Sequence, residues 1–135
     1  MSSREPCQIR VIIIEGRALK GKEGDSDLVN PAIRVNLIAG EVKKSQRTAI
    51  YVDVTSVYFN ETKIFEEEIG GDEFEEGRIQ IQAEDDQGMF QPRLIGEHSF
   101  DLQQVWAASS HEIYNQWVVL LHPDRGGEVQ GFLVT

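Results

Sequence analysis

The side chains with chemistry to offer are three histidines, one cysteine and a large set of acids. His98, His111 and His122 have no metal-ligand spacing such as His-x-x-x-His, and the chain carries neither a Gly-x-Ser-x-Gly elbow nor a phosphate-cradling glycine loop. Cys7 lies in the opening residues with no preorganised base beside it in the sequence. Trp106 and Trp117 read as core anchors rather than as a ligand platform. These residue types argue against an enzyme and for a protein that works by non-covalent binding. The acidic runs Glu66 to Glu68 and Asp72 to Glu76 are more distinctive. They read as a solvated face or as a surface that receives and steers a basic partner.

Charge narrows the class of partner. Against 23 Asp and Glu stand 13 Lys and Arg, a formal charge of −10, so nothing pulls the whole chain toward nucleic acid. Simple adsorption to an anionic leaflet, where each nearby cation contributes about 1 kcal/mol, is disfavoured for the same reason. Any lipid contact must be local or metal-assisted. The 135 residues, 40% of them hydrophobic, suit one soluble domain with a sizeable core. A single cysteine makes no internal disulfide, and no basic-then-apolar leader opens the chain. The longest apolar run, Val11 to Ile14, is far short of the about 20 residues that cross a bilayer. The expected setting is the reducing cytosol.

The elements that must position these groups are mostly strands. Ile9 to Ile14 is rich in β-branched residues and ends at Glu15-Gly16, and residues 20–27 read as an exposed loop closed by Pro31. Ala32 to Ile38 alternates apolar and polar, and Ala39-Gly40-Glu41 turns the chain into a third strand from Gln46 to Val54. Thr55 to Glu61 reads as a loop whose two aromatics plug the core. Lys63 to Ile69, stopped by Gly70-Gly71, has a strand's length. Arg78 to Ala83 and Leu94 to Phe100 are strands five and six. Asp101 to Ala108, an N-cap residue followed by Leu102, Val105 and Trp106 at helical spacing, is one short helix. Gln116 to Leu121 and Val129 to Val134 complete eight strands. The expectation is all-β: an eight-stranded antiparallel β-sandwich with one short helix between strands six and seven.

In order and spacing, Gln8-Ile9-Arg10-Val11 through Glu15-Gly16-Arg17-Ala18-Leu19, Tyr58-Phe59-Asn60-Glu61-Thr62, Leu94-Ile95-Gly96-Glu97, and Trp117 to Leu121 with Gly131 to Val134 resemble the C2 domain. The resemblance covers residues 8–135 and leaves residues 1–7 as an N-terminal extension. It implies a sandwich that commonly binds phospholipid, often through calcium held by three loops at one end. The Tyr-Phe-Asn-Glu turn and the Trp before strand seven are most similar to C2 domains of ferlins, large tail-anchored proteins with tandem C2 domains that serve membrane fusion and repair. The chain is then one cytoplasmic module of such a parent, peripheral at membranes. Its partners are a phospholipid surface, other domains of the parent, or a protein; nucleic acid is not among them.

The resemblance also implies where ligands would sit. Family members that bind calcium carry two first-loop acids, the second directly before a proline, because the ion needs six to eight oxygens. Here Asn30 precedes Pro31, and the earlier position falls near Gly24 or Asp25, with Asp27 as a spare. Counting back from Gly96 places the third-loop acidic positions at Asp85, Gln87 and Arg93. A calcium site would therefore need Asp25, Asp27, Asn30, Asp85 and Asp86 to supply what Gln87 and Arg93 do not. The alternative is that these are solvated loop acids and that Arg93 pairs with Asp85 in place of the metal. No cofactor is expected on that alternative. Met89 and Phe90 lie at the tip of the third loop, where membrane-inserting relatives are apolar. Lys43, Lys44 and Arg47 lie near the family's usual basic cluster, although lysines there also suit a guarded strand edge. The resulting expectation is phospholipid docking with weak or absent calcium dependence, with calcium-independent protein scaffolding as the alternative.

Overall fold

The computed structural model describes residues 4–21, 28–88, 90–107, 117–121 and 129–134. In chain order the elements are β1 (Arg4–Arg17), β2 (Pro31–Ala39), β3 (Val42–Arg47), β4 (Val57–Gly70), α1 (Gly71–Glu75), β5 (Arg78–Asp85), β6 (Arg93–Asp101), α2 (Leu102–Ala107), β7 (Trp117–Leu121) and β8 (Val129–Val134). The strands hydrogen-bond in the order β3-β2-β5-β6-β7-β8-β1-β4, with antiparallel pairing throughout. Among the described residues, β6 and β7 are aligned through the single pair Glu97↔Leu121. Side chains of β1, β2, β4, β5 and β6 share one core cluster, as in a β-sandwich.

Period-two alternation decides which side chains enter that core. On β2, Ile33, Val35 and Leu37 are fully buried while Arg34 and Asn36 take the other face. On β5, Ile81 and Ala83 point inward beside Ile95 of β6, and Gln80, Gln82 and Glu84 point outward. Ile13 of β1 with Phe59 and Phe65 of β4 line the opposing layer. Each such side chain contributes about 1.5 to 3 kcal/mol by leaving water. β1 lies between β4 and β8, so the first and last strands are antiparallel neighbours from Glu15↔Val134 to Arg17↔Phe132.

Several elements depart from expectation, each for a local reason. β1 starts at Arg4, so residues 4–7, expected to be an extension, pair with β4 from Arg4↔Gly70 to Cys7↔Glu67. The third strand is Val42–Arg47, not Gln46 to Val54. Beyond it, the β-branched Ile50 and Val52 project to solvent, so their strand propensity does not report pairing. The expected loop at Thr55 to Glu61 is largely strand. Glu61 and Tyr58 oppose Ile13 and Glu15, which leaves one extra residue on β4, and Asn60 adopts φ 48. This is a β-bulge using the left-handed conformation that Asn tolerates. Phe59 enters the core there, but Tyr58 is 64% exposed and plugs nothing.

A second short helix, α1, follows directly on Gly70. Its Glu73 carboxylate accepts the Gly70 N–H at 3.1 Å and the Glu41 N–H at 3.1 Å, tying the helix start to the β2–β3 turn. The helix expected from Asp101 is present as α2, with Leu102 buried and Asp101 still in β6.

Antiparallel pairing gathers the chain connections at two poles. The described residues after β1, between β3 and β4, and between β5 and β6 lie at one pole. The turn at Gly40 and both helices lie at the other.

Candidate functional site

Asn30 is the junction of the three connections at the first pole. Its backbone N–H donates to Asp85 Oδ1 at 2.9 Å, and its carbonyl accepts the Asp86 N–H at 2.9 Å. Its side-chain Oδ1 accepts the Asp53 N–H at 2.9 Å, and its Nδ2 lies 3.4 Å from the Asp86 carbonyl. The amide orientation follows from these partners, one a donor and one an acceptor. Residue 30 is placed for this because Pro31 opens β2 opposite Asp85, the last residue of β5. A bridge between Val29 and Val54 completes the tie, and Asp53 turns there with φ 55.

Around the junction the charges alternate. Arg93, the first residue of β6, sits opposite Asp85 in the ladder. Its Nη2 donates to the Lys20 carbonyl at 3.0 Å and lies 3.4 Å from Asp85 Oδ2. Both side chains of that pair are only 14% exposed. Asp86 Oδ1 is 3.8 Å from Arg47 Nη2, and its Oδ2 accepts the Gly88 N–H at 3.4 Å. Glu84 holds Arg34 Nε at 3.1 Å on one oxygen and Arg47 Nε at 3.3 Å on the other. The Arg47 contact is an ion pair without aligned hydrogen-bond geometry. Three arginines thus face three carboxylates. Partly buried pairs of this kind are screened less than fully exposed ones, whose median worth is about 0 to 1 kcal/mol.

Apolar side chains reach outward from the same connections. Phe90 is 79% exposed in the third, Val52 67% and Ile50 41% in the second, and Leu28 61% in the first. Of these four, only Phe90 was a docking candidate from sequence, named there with Met89. Leu28 sits in a turn-rich stretch with no pattern, and Val52 reads as a strand residue until its exposure is seen.

The sequence-derived candidates are brought together in part. Asn30, Asp85 and Asp86 converge; Asp25, Asp27 and Met89 lie outside the described residues. Of the three cations, Lys43 and Arg47 share one face of β3, paired with Ile38 and Arg34. Lys44 faces the other way and lies 3.6 Å from Glu67 of β4. They do not form one cluster, because successive strand residues alternate faces. Cys7 is half-buried opposite Glu67, and burial pushes its thiol up from the ordinary range.

Comparison with known proteins gives these features a context. The sequence model of the C2 domain matches residues 7–120. Ferlin 2 of Tetrahymena thermophila is 30% identical over 132 residues, which is 97% of this chain and 8% of that protein. The chain therefore spans a small fraction of that relative's length. A C2 domain of a plant extended synaptotagmin 1 superposes with a TM-score of 0.68 at 15% identity, covering 94% of this chain and 88% of that one. The portion of extended synaptotagmin 2 that holds its SMP domain and two C2 domains gives 0.71 at 16% identity, covering 99% and 27%. Human GIVD cytosolic phospholipase A2 gives 0.64 at 13% identity, covering 99% and 17%. At such identities the structures speak for the fold.

Proposed function

The chain belongs to the C2 domain family, and from that premise we propose that it docks peripherally on phospholipid surfaces through its loop pole, without needing calcium. The observation that carries this reading is the outward projection of Leu28, Val52 and Phe90 from three connections gathered at one end. Each contributes about 1.5 to 3 kcal/mol at full burial, so at their present exposure the three together supply roughly 3 to 6 kcal/mol. Such docking is weak alone. In a tandem, ferlin-like parent it is multiplied by effective concentration.

The charge distribution suits this orientation. Glu66, Glu67, Glu68, Asp72, Glu75 and Glu76 lie at or near the far pole. β4 is 14 residues long, a rise of roughly 45 Å, against a Debye length of about 8 Å at physiological salt. With the loop pole on the lipid, most of the acidic excess is screened from an anionic leaflet. The process is non-covalent, and no bond-making step is assigned to any residue.

Sedimentation of the chain with phosphatidylcholine/phosphatidylserine vesicles in excess chelator tests the reading. Co-sedimentation that persists in chelator supports it, and absence of binding at every lipid composition overturns it. A second reading is favoured by Trp106, 59% exposed on α2 and edge-on to Phe74 of α1 at 6.1 Å, beside exposed acids of the far pole. Aromatic and acidic surface together suit a Lys- or Arg-rich protein segment. Pull-down by a basic peptide, lost in Trp106→Ala, would move the function to that pole.

A further inference from the structure

We infer that the Asn30 amide and the Arg93 guanidinium together clasp the three connections of the loop pole, doing without metal what a bound calcium ion does in relatives that hold one. The inference deepens the docking reading, since it states why the pole needs no calcium. Its own geometry stands apart from any lipid.

Calcium takes six to eight oxygens at about 2.3 to 2.6 Å. The carboxylates of Asp85 and Asp86 are already engaged by donors. Asp85 Oδ1 accepts the Asn30 N–H at 2.9 Å, and Oδ2 faces Arg93 at 3.4 Å. Asp86 meets Arg47 on one oxygen and the Gly88 N–H on the other. Asn30 Oδ1 is taken by the Asp53 N–H at 2.9 Å. A guanidinium beside Asp85 also places positive charge where a dication would need negative charge. These residues do not fit the ion.

They fit one another. Arg93 spans from the first connection, at the Lys20 carbonyl, to Asp85 at the start of the third. Asn30 spans from the first to the second at Asp53 and to the third at Asp85 and Asp86. An aspartate at position 30 has no donor for the Asp86 carbonyl and adds a third negative charge beside Asp85 and Asp86. The amide satisfies both neighbours. Arg93 likewise supplies a fixed charge that neither dissociates nor responds to cellular calcium. Every link is therefore covalently part of the chain, and the pole is set at all calcium concentrations.

The test needs no lipid, so failure of vesicle docking leaves it intact. The 135-residue chain is titrated calorimetrically with calcium to about 5 mM, above the weakest affinities of dedicated calcium modules. Melting and amide exchange are measured in parallel. The wild type gives no saturable heat and no melting shift. Arg93→Gln melts roughly 3 to 8 °C lower in chelator and exchanges the Asn30, Asp53 and Asp86 amides faster. The double variant Asn30→Asp/Arg93→Asp, where it folds, melts lower still and is raised by calcium. Saturable heat in the wild type that is lost in Asp85→Asn overturns the inference. So does Arg93→Gln with unchanged loop-amide exchange, or a folded double variant indifferent to calcium. Should the double variant not fold, the wild-type titration and Arg93→Gln decide alone.

Discussion

Replacing Phe90 by serine is the sharpest probe of docking, because the ring is 79% exposed and supports little of the fold. A fully buried phenylalanine is worth up to about 3 kcal/mol, so the exposed part transferred into lipid amounts to about 2 kcal/mol. At about 1.4 kcal/mol per decade, Phe90→Ser weakens vesicle partitioning roughly 30-fold. The same reasoning gives a smaller loss, about ten-fold, for Leu28→Ser and the smallest, about five-fold, for Val52→Ser. Folding stability changes by less than about 0.5 kcal/mol for an exposed position of this kind. The assay is partitioning on mixed phosphatidylcholine/phosphatidylserine vesicles across a lipid titration, in chelator, at about 0.1 and 0.5 M salt. Over that range the Debye length more than halves, yet apolar transfer is not weakened. Partitioning of Phe90→Ser within two-fold of wild type, or wild-type binding abolished by salt, would refute the reasoning and place the contact on charged groups.

Other consequences follow from single contacts. Thr48 Oγ1 accepts the buried Ile33 N–H at 2.9 Å, so Thr48→Val strands that donor and lowers urea-measured stability by about 1 to 3 kcal/mol; an unchanged midpoint refutes the assignment. Gly40 has φ +62, and a Cβ there would meet Glu73 Oε2 at 2.5 Å. Gly40→Ala therefore costs about 1 to 3 kcal/mol, through backbone strain and displacement of the carboxylate that caps α1, as read by the same denaturation. The raised Cys7 thiol predicts slow alkylation by iodoacetamide at neutral pH, with a half-rate pH above that of a free thiol. The accompanying stability is fully present below the unfolded thiol range and is lost as pH rises through the higher folded value. A half-rate at or below the free-thiol range would contradict this.

How much of this was legible depends on whether a residue's role is set locally. Ile33, Val35 and Leu37, like Ile79 and Ile81, announce their burial by alternation, because a half-buried strand has no other arrangement. Asn60 carried an ambiguous signal. Its preference for left-handed backbone marks a turn or a bulge equally well, and only pairing with β1 at Ile13 and Glu15 selects the bulge. α1 was illegible since five residues show no periodicity and its cap is a carboxylate also spent on Glu41 across the β2–β3 turn. At the site, the Asp85–Arg93 pairing was one of two alternatives in the sequence and is now a 3.4 Å contact. The role of Asn30 is set by tertiary contacts, because its partners Asp53, Asp85 and Asp86 are 23 to 56 positions away along the chain.

On the docking reading, the arrangement of charge at the loop pole determines which force holds the domain to lipid. Arg34, Arg47 and Arg93 are spent on Glu84, Asp85 and Asp86. Each cation turned inward is one fewer for phosphate headgroups, and each carboxylate so neutralised is one fewer to repel them. Lys43 and Lys44 begin β3 beside the Gly40 turn, toward the far pole, and add no cation here. Among the described residues, a cluster balanced in this way gains little from anionic lipid and loses little from it. Attraction then rests on Leu28, Val52 and Phe90, whose transfer is indifferent to headgroup charge. Exchanging phosphatidylserine for phosphatidylcholine should therefore alter partitioning by less than about three-fold, under 1 kcal/mol, where a calcium-bridged contact would depend on it steeply. Strong selectivity for phosphatidylserine in chelator would mean that the arginines leave their carboxylates at the membrane, and that the balance seen in the free domain is not the one that binds.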